Sequence, residues 1–128
     1  MVSKIDGKLV KIAKDLIKKR FKENKHHIAS ALRTASGNIF TGVHLEAYVG
    51  RIAICGEAVA IGRAATEGDT SIQTIVAVNE LGEVVSPCGM CRELILDYSP
   101  KAKVIIKKNN ALIEVSAKEL LPDKYSRE

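Results

Sequence analysis

Ser86-Pro87-Cys88-Gly89-Met90-Cys91-Arg92-Glu93 is the stretch around which the rest of the chain is arranged. Its two cysteines form a C-x-x-C pair, a spacing that lets both sulfurs turn toward one ion from the start of a helix. The chain has one other cysteine, Cys55, which lies upstream of this pair. Three thiolates leave one tetrahedral position of a zinc ion open to water, and an open position separates a catalytic zinc from a closed structural one. The cysteines therefore predict a catalytic zinc site.

The residue that follows Cys55 by two positions is a glutamate, Glu57. A zinc ion lowers the pKa of a bound water to about 7, but a second group must still move that proton onto the leaving group. Glu57 is placed to do so. This combination is similar to that of zinc-dependent nucleobase deaminases, in which a glutamate that is not a metal ligand shuttles the proton.

Length and composition limit the other possibilities. A chain of 128 residues, 46% hydrophobic and 27% charged, fits a single domain over residues 1–128. No apolar run approaches the roughly 20 residues that cross a bilayer, and the first residues lack the apolar block of a secretory signal. Three cysteines, an odd number, argue against a disulfide framework and for a reducing compartment. We therefore expect a cytoplasmic protein with no membrane partner.

The net charge of +5 could indicate a nucleic-acid ligand. Most of the excess lysine lies in the first segment, where it shares a helical pattern with Ile and Leu, so a solvated helix face is the better interpretation. Two Phe, three Tyr and no Trp offer little for stacking on the bases of a strand. We do not expect a nucleic-acid polymer as partner.

The apolar pattern along the chain predicts an α/β fold with a mixed five-stranded sheet and helices on both faces. Both metal-bearing segments fall at helix N-termini, where the partial positive charge favours thiolates. Ser3 is a plausible start for the first helix, and Ser86 is a natural cap for the third. The predicted helices cover residues 5–24, 55–67, 88–98 and 117–121, and the predicted strands cover 27–33, 38–43, 74–79 (extended through 83–85), 103–107 and 111–115.

Several motifs together resemble the small cytidine deaminase family. They are Thr41-Gly42, Glu46, Cys55-x-Glu57, Pro87-Cys88-Gly89-Met90-Cys91-Arg92 and Glu119-Leu120-Leu121-Pro122. Within that family, three stretches look most like the bacterial blasticidin-S deaminases: His26-His27, Val43-His44-Leu45-Glu46-Ala47-Tyr48 and Pro87 through Leu94.

The resemblance implies a three-layer sandwich, one Zn²⁺ per subunit and a homotetramer with active sites near subunit interfaces. It implies hydrolytic attack at C4 of the cytosine ring of a small nucleoside, with release of ammonia. In that reading the zinc ligands are Cys55, Cys88 and Cys91, the proton shuttle is Glu57, and the substrate-binding residues are His44, Glu46, Gly56, Ser86 and Tyr125.

The sequence departs from the family pattern at positions that matter for the metal and the sugar. Cytidine deaminases carry Cys-Ala-Glu-Arg where this chain has Cys55-Gly56-Glu57-Ala58, so the arginine that donates to the zinc-bound sulfurs is missing. Arg92 is the local candidate for that supporting role. The usual sugar-contacting Asn is His44, and the usual Phe before the first strand is His26. A site of this kind suits a substrate without the ribose hydroxyl pattern, such as blasticidin S.

Alternatives remain open at this point. Within the enzyme class, the substrate could be cytidine or deoxycytidine. A structural zinc module is possible, but it gives Glu57 no task and usually needs four protein ligands. A redox dithiol at the C-x-x-C pair leaves Cys55 idle. Histidines near strand ends are more often surface or hydrogen-bonded residues than ligands, and Tyr125 could equally be an ordinary C-terminal anchor.

Overall fold

The structure is a computed structural model that describes residues 5–127. Ser3, the predicted start of the first helix, lies outside the described residues. Four helical segments flank the sheet: α1 Gly7–Arg20, α2 Gly56–Thr66, α3 Gly89–Tyr98 and a 3-10 turn at Ala117–Leu120. The strands are β1 Ile28–Thr34, β2 Ile39–Val43, β3 Ile72–Asn79, β4 Val84–Val85, β5 Lys103–Lys108 and β6 Ala111–Ser116. A second 3-10 turn covers Gly50–Ile52.

The strands form one mixed sheet in the order β2-β1-β3-β5-β6. All neighbours on this path are antiparallel except β3 and β5, which run parallel. The short β4 pairs with β3 through Ala77 and Val78, whereas β5 pairs with β3 through Thr74 and Ile75. Since β1 occupies the other edge of β3, β4 and β5 share one edge. On that edge, β4 lies beside the carboxyl end of β3 and β5 lies beside its earlier residues. Ser86, which directly follows β4, is therefore near the carboxyl end of β3.

Helices cover both faces of the sheet, as the sequence predicts. Alternating residues of the strands point to opposite faces, and each face buries its own apolar cluster. The cluster under α1 contains Leu9, Val10, Ala13, Ile17, Ala29, Ala31, Val76, Val78 and Ile105. The cluster under α2 and α3 contains Leu32, Ala60, Ile61, Ala64, Ile75, Ile95, Leu96, Val104 and Ile106. The α/β three-layer arrangement is thus confirmed.

The first helix is shorter than predicted at both ends. Its N-cap is Asp6, whose Oδ1 accepts the backbone N–H of Leu9 at 3.1 Å. At its other end the helix stops at Arg20, because Lys22 and His26 pair as a bridge around Asn24 at φ +62°. An asparagine tolerates that left-handed conformation better than most residues. This tight turn leads directly into β1.

Two further expectations need correction. Ser86 does not cap α3: the N-cap is Cys88, and the helix begins at Gly89. The predicted last helix is a single 3-10 turn, fixed by a reciprocal capping box between Ser116 and Glu119. In the part of the chain from residue 5 to 127, no helix has both the length and the apolar character needed to cross a membrane.

Candidate active site

The N-termini of α2 and α3 carry the cysteines. Cys55 and Cys88 are the N-cap residues of these helices, both with extended backbone, and Cys91 lies in the first turn of α3. Backbone N–H groups at a helix N-terminus have no partner within the helix and attract negative charge. Two such ends therefore face the same group of thiols.

A glycine allows α2 to lie close enough to the sheet for this meeting. A Cβ at Gly42, on β2, would lie 2.5 Å from the backbone N of Ala60 and 2.8 Å from the backbone O of Gly56. These distances mean that the strand and helix backbones are in direct contact. A Cβ at Gly56 would itself lie 3.3 Å from the carbonyl oxygens of Gly42 and Ile28. The start of α2 is consequently packed between β1 and β2.

The three thiols converge on one point. All are free, and their Sγ atoms lie within 4.8 Å of one another. Sγ of Cys55 and Sγ of Cys88 are 3.5 Å apart. A tetrahedral zinc with Zn–S bonds of about 2.3 Å holds its sulfurs about 3.8 Å apart. The spread and the chemistry of this donor set therefore fit a zinc ion.

The electrostatics of the thiols also suit a cation. Burial raises the pKa of Cys91 well above its usual range, helped by the nearby Glu57 carboxylate. Burial and the neighbouring Cys88 raise the pKa of Cys55. Burial acts in the same direction on Cys88, but the backbone N–H of Cys91 and the other thiols outweigh it, so the net pKa of Cys88 is lowered. Metal ligation requires all three to be deprotonated, which a divalent cation favours.

Glu57 lies in the first turn of α2 and is only 5% exposed. Burial raises the pKa of its carboxyl group. The side chain lines a cavity of about 220 Å³ at the carboxyl end of β3. The other lining residues are Ile28, His44, Cys55, Gly56, Val85, Ser86 and Cys88.

The structure brings together most of the residues that the sequence singles out, but not all of them. His44 lies in the cavity wall, and Nε2 of its ring is 4.0 Å from Oε2 of Glu46, which is exposed at the rim. Burial lowers the pKa of His44; the charge of Glu46 opposes this, whereas His26 and His27 reinforce it. Tyr125 is 79% exposed and lies beside Glu93 and Asp97 on α3, away from the cavity of its own chain.

Arg92 makes hydrogen bonds to backbone carbonyls. Its Nε donates to the O of Pro87 and its Nη1 to the O of Leu120, each at 2.8 Å. The sequence suggested a role as donor to the sulfurs; the structure instead shows a guanidinium that joins the start of α3 to the end of the 117–120 turn. The bond to Pro87 still acts on the metal-bearing stretch, because it fixes the residue before Cys88.

Sequence reasoning missed two residues of the cavity wall. Ile28 opens β1 and Val85 ends β4, and both line the cavity. Val85 could have been found from its position next to Ser86. Ile28 could not have been found in this way, because its position in the wall depends on strand register: it lies opposite Asn79 at the carboxyl end of β3.

Three thiols around one point, with a buried glutamate beside them at two helix N-termini, define a class of protein: the zinc-dependent nucleobase deaminases. The model of a protein family described as the cytidine and deoxycytidylate deaminase zinc-binding region matches residues 3–107. The chain belongs to this family. Zinc is therefore its cofactor, and the thiol cluster is the group of residues able to hold it.

Individual relatives agree. Blasticidin-S deaminase from Bacillus cereus is 46% identical over an alignment 134 positions long, which covers 98% of this chain and 96% of that protein. A probable cytidine deaminase from Dictyostelium discoideum is 34% identical over 102 residues, or 79% of this chain and 69% of that protein. The crystal structure of the cytidine deaminase from Bacillus anthracis has a TM-score of 0.81 at 28% identity, covering 95% of this chain and 90% of that one. The resemblance inferred from the motifs is confirmed.

Proposed function

We propose that the protein is a hydrolytic deaminase of the blasticidin-S type. It would convert the cytosine ring of a nucleoside antibiotic, or of a small nucleoside, to uracil and release ammonia. One observation carries the proposal: three thiols lie within 4.8 Å of one another, and two of them, Cys55 and Cys88, share a cavity wall with the buried Glu57. The 46% identity to a blasticidin-S deaminase supports the antibiotic as substrate.

Cys55, Cys88 and Cys91 would hold the zinc ion. When bound, zinc supplies a water that is deprotonated near neutral pH. Glu57 would transfer both protons of the attacking water, one to N3 of the ring and one to the amino group, so that C4 gains a carbonyl oxygen and the C4–N bond breaks to release NH₃. A buried glutamate that is not a ligand has this task in the class. In a structural zinc module, the same carboxylate would be buried at a cost with no function.

The cavity is suited to a single base. Its volume of about 220 Å³ lies below the range of roughly 300–1,000 Å³ typical of pockets for drug-sized ligands. The ring would enter against Gly56 and Glu57, with the backbone of Ser86 accepting from the amino group. The rest of the ligand would extend past His44 and Glu46 toward solvent.

Deamination of cytidine or deoxycytidine is a second candidate. The Dictyostelium relative is named as a probable cytidine deaminase, and Glu46 matches the carboxylate that contacts ribose in that family. A nucleoside would use the same catalytic residues, so the two candidates differ only outside the cytosine ring.

We also propose a cytoplasmic homotetramer built from single domains spanning residues 1–128, with the active sites near subunit interfaces. The connection between β2 and α2 exposes Tyr48 fully and Ile52 to 65%, and Met90 is exposed beside the metal-bearing turn. Contiguous exposed apolar side chains mark association surfaces. Tyr125 is exposed and does not line the cavity of its own chain, as expected of a residue that covers a neighbour's site. The three free thiols suit a reducing compartment.

An ultraviolet assay of the purified zinc-loaded protein tests the proposal, with blasticidin S, cytidine and deoxycytidine run in parallel. We expect loss of cytosine absorbance and stoichiometric ammonia release, fastest with blasticidin S. Faster turnover of cytidine would assign the protein to pyrimidine salvage. A folded, zinc-containing protein that releases ammonia from none of the three would favour the structural module.

A further inference from the structure

The positive charge of the chain is concentrated in one segment. Residues 5–25 carry seven lysines and one arginine against three acidic residues. Residues 26–127 carry eleven basic and eleven acidic residues and have no formal net charge. The segment that contains α1 and the turn after it therefore carries a net charge equal to the +5 of the whole chain.

Five lysines on the solvent side of α1 form a surface that we call the lysine stripe. They are Lys8, Lys11, Lys14, Lys18 and Lys19, and all are exposed. Successive spacings of three and four residues place the first four in a row along the helix, about 15 Å long. The opposite side of α1 is buried against β1 and β3. The sheet therefore holds the lysine stripe toward solvent.

The acidic residues of the segment leave most of this charge uncompensated. Asp6 pairs with an arginine of β1, and Oδ2 of Asp15 lies 3.0 Å from Nζ of Lys11. The carboxylate of Glu23 lies 3.5 Å from Nε2 of His27, not beside the stripe lysines. Within the part of the chain that the structure describes, the other four lysines of the stripe form no ion pair.

Two exposed apolar side chains lie at the C-terminal end of the stripe. Phe21, which follows α1, is 42% exposed, and Leu81, in the turn after β3, is 78% exposed. The ring of His27 connects the two segments. It contacts the edge of Phe21 with ring centroids 5.3 Å apart, and its Nδ1 lies 3.0 Å from Oε2 of Glu80, the residue before Leu81. One end of the charged surface is thus apolar.

We propose that the lysine stripe, with Phe21 and Leu81 at its end, is a docking surface for a lipid bilayer that contains anionic headgroups. Such a bilayer attracts lysines that lie within a Debye length of it. Exposed apolar side chains beside the charges enter the boundary between headgroups and acyl chains. The sequence predicted no membrane partner because no segment can span a bilayer, but contact with its surface needs no such segment. The inference goes beyond the proposed function and does not depend on it.

Two other accounts of the stripe explain less. Charge that served only solubility would be mixed in sign and spread over the surface, whereas here residues 26–127 are balanced and the excess lies on one helix. A nucleic acid would favour arginine, whose fork binds phosphates at two points, and aromatic rings on which bases stack. Residues 5–25 have seven lysines to one arginine, and Leu81 offers no ring. Charge complementarity together with the apolar end therefore favours a bilayer.

Sedimentation of the zinc-loaded protein with lipid vesicles tests the proposal. One set of vesicles contains phosphatidylcholine alone, and the other contains equal parts of phosphatidylcholine and phosphatidylserine. We expect the protein to bind the anionic vesicles at about 0.1 M salt, where the Debye length is about 10 Å, and to leave the neutral vesicles unbound. Equal binding to both sets, or to neither, would overturn the proposal.

Two triple variants with the same net charge locate the contact. The stripe variant combines Lys8→Gln, Lys14→Gln and Lys18→Gln. The control variant combines Lys101→Gln, Lys108→Gln and Lys118→Gln, at exposed positions outside α1. We expect the stripe variant to bind anionic vesicles about 100-fold more weakly, since each lysine near such a surface contributes about 5-fold, and the control to lose less than about 3-fold. Equal losses would mean that net charge alone is sensed, and would overturn the proposal.

The apolar end separates a bilayer from a nucleic acid. Phe21→Ser combined with Leu81→Ser should weaken binding to anionic vesicles about 10-fold, with thermal unfolding followed to confirm that the variant is folded. A single-stranded RNA titrated at the same salt should bind more weakly than the vesicles. Tighter binding of the RNA that is lost in the stripe variant would assign the surface to nucleic acid and overturn the proposal. None of the substituted residues lines the cavity beside Glu57, so ammonia release by the stripe variant should equal that of the unmodified protein.

Discussion

Glu57 is the residue on which the proposed reaction depends most. Its replacement by Gln keeps the shape of the side chain but removes a group able to carry a proton, and proton transfer by a positioned group contributes about 100- to 10,000-fold to a rate. We expect Glu57→Gln to lower kcat within that range, measured by ammonia release, while zinc content and thermal unfolding stay close to those of the unmodified protein.

The same substitution at Glu67, the exposed C-cap residue of α2, serves as the control and should leave kcat unchanged. Full turnover by Glu57→Gln would falsify the assignment of the proton shuttle.

Cys88 tests the metal site separately from the chemistry. The residue is exposed, so loss of its own packing costs little, and any large effect on stability must come through the metal. We expect Cys88→Ala to lose most of its zinc and to unfold at a lower temperature, because a ligand that binds only the folded state stabilises it by about 4 kcal/mol at 1,000 times its Kd. Metal analysis and thermal unfolding measure both effects.

A chelator provides the comparison. It should lower the unfolding temperature of the unmodified protein toward that of Cys88→Ala and change the variant little. A well-folded Cys88→Ala protein with a full complement of zinc would show that this thiol is not a ligand.

Gly42 is a single residue that sets the position of α2. The atoms its Cβ would meet, at 2.5 and 2.8 Å, belong to the helix backbone and to Cβ of Val59, which cannot move aside alone. We expect Gly42→Ala to destabilise the protein by about 1–3 kcal/mol in denaturant unfolding, and to weaken zinc binding because Cys55 moves with the helix.

Gly62 on the same helix is the matched control. A Cβ there meets nothing within 4 Å, and Ala is favoured over Gly inside a helix by about 0.5–1 kcal/mol. Gly62→Ala should therefore stabilise the protein. Equal effects of the two substitutions would mean that the contact at Gly42 does not constrain α2.

At the scale of an element, Asp6 joins α1 to the sheet. It caps the helix and forms a two-point ion pair with Arg33 of β1, with Nε to Oδ2 at 2.7 Å and Nη2 to Oδ1 at 3.2 Å. The hydrogen bonds from Arg33 hold the pKa of Asp6 below its usual range. A carboxyl whose pKa is lower in the folded state contributes stability above its unfolded pKa, and this is lost as the pH falls through the folded value.

Asp6→Asn keeps an oxygen for the cap and removes the charge. We expect it to lower the free energy of unfolding by about 1 kcal/mol at pH 7, with the difference from the unmodified protein closing below about pH 4. Denaturant unfolding across this pH range measures the gap. Asp15→Asn, which breaks the exposed pair with Lys11, should change little; a gap for Asp6→Asn that does not depend on pH would contradict the ion-pair account.

Local patterns determine most of the helices and strands of this fold, but not how they meet. The glycine stop of α2 at Gly68, φ +75°, could be predicted because glycine alone adopts that conformation readily. The role of Asp6 could not, since it combines the cap of α1 with an ion pair to Arg33 of β1, 27 residues away in the sequence. Likewise, the spacing of Cys88 and Cys91 predicts shared ligation from local geometry, whereas Ile28 enters the cavity only through strand register. The hydrogen bond from Arg92 to the O of Leu120 depends on where the last turn packs in the fold, which local spacing does not specify.

On the scale of the whole molecule, the surface near the site exposes apolar side chains that a second subunit could bury. The connection from β2 to α2 exposes Tyr48, Val49 and Ile52. Contact between apolar side chains and water is unfavourable, so burying them in an interface would stabilise an assembly. Tyr125 is exposed on another part of the surface. An assembly that buries the connection and brings a neighbour's Tyr125 to the cavity would account for both features.

This account predicts that Tyr48→Glu combined with Ile52→Glu breaks the assembly, because burying two carboxylates at an interface without partners costs several kcal/mol. Sedimentation velocity should show a tetramer for the unmodified protein and smaller species for the double variant. Zinc content should be retained, since neither residue lines the thiol cluster, while activity should fall because each cavity would lose its neighbour. Tyr98→Glu is the control: Tyr98 is also exposed but ends α3, about 10–15 Å along the helix from Cys91 and Cys88, and should leave the tetramer intact. An unmodified protein that sediments as a fully active monomer would show that the cavity needs no neighbour, and Tyr125 would then be only a C-terminal anchor.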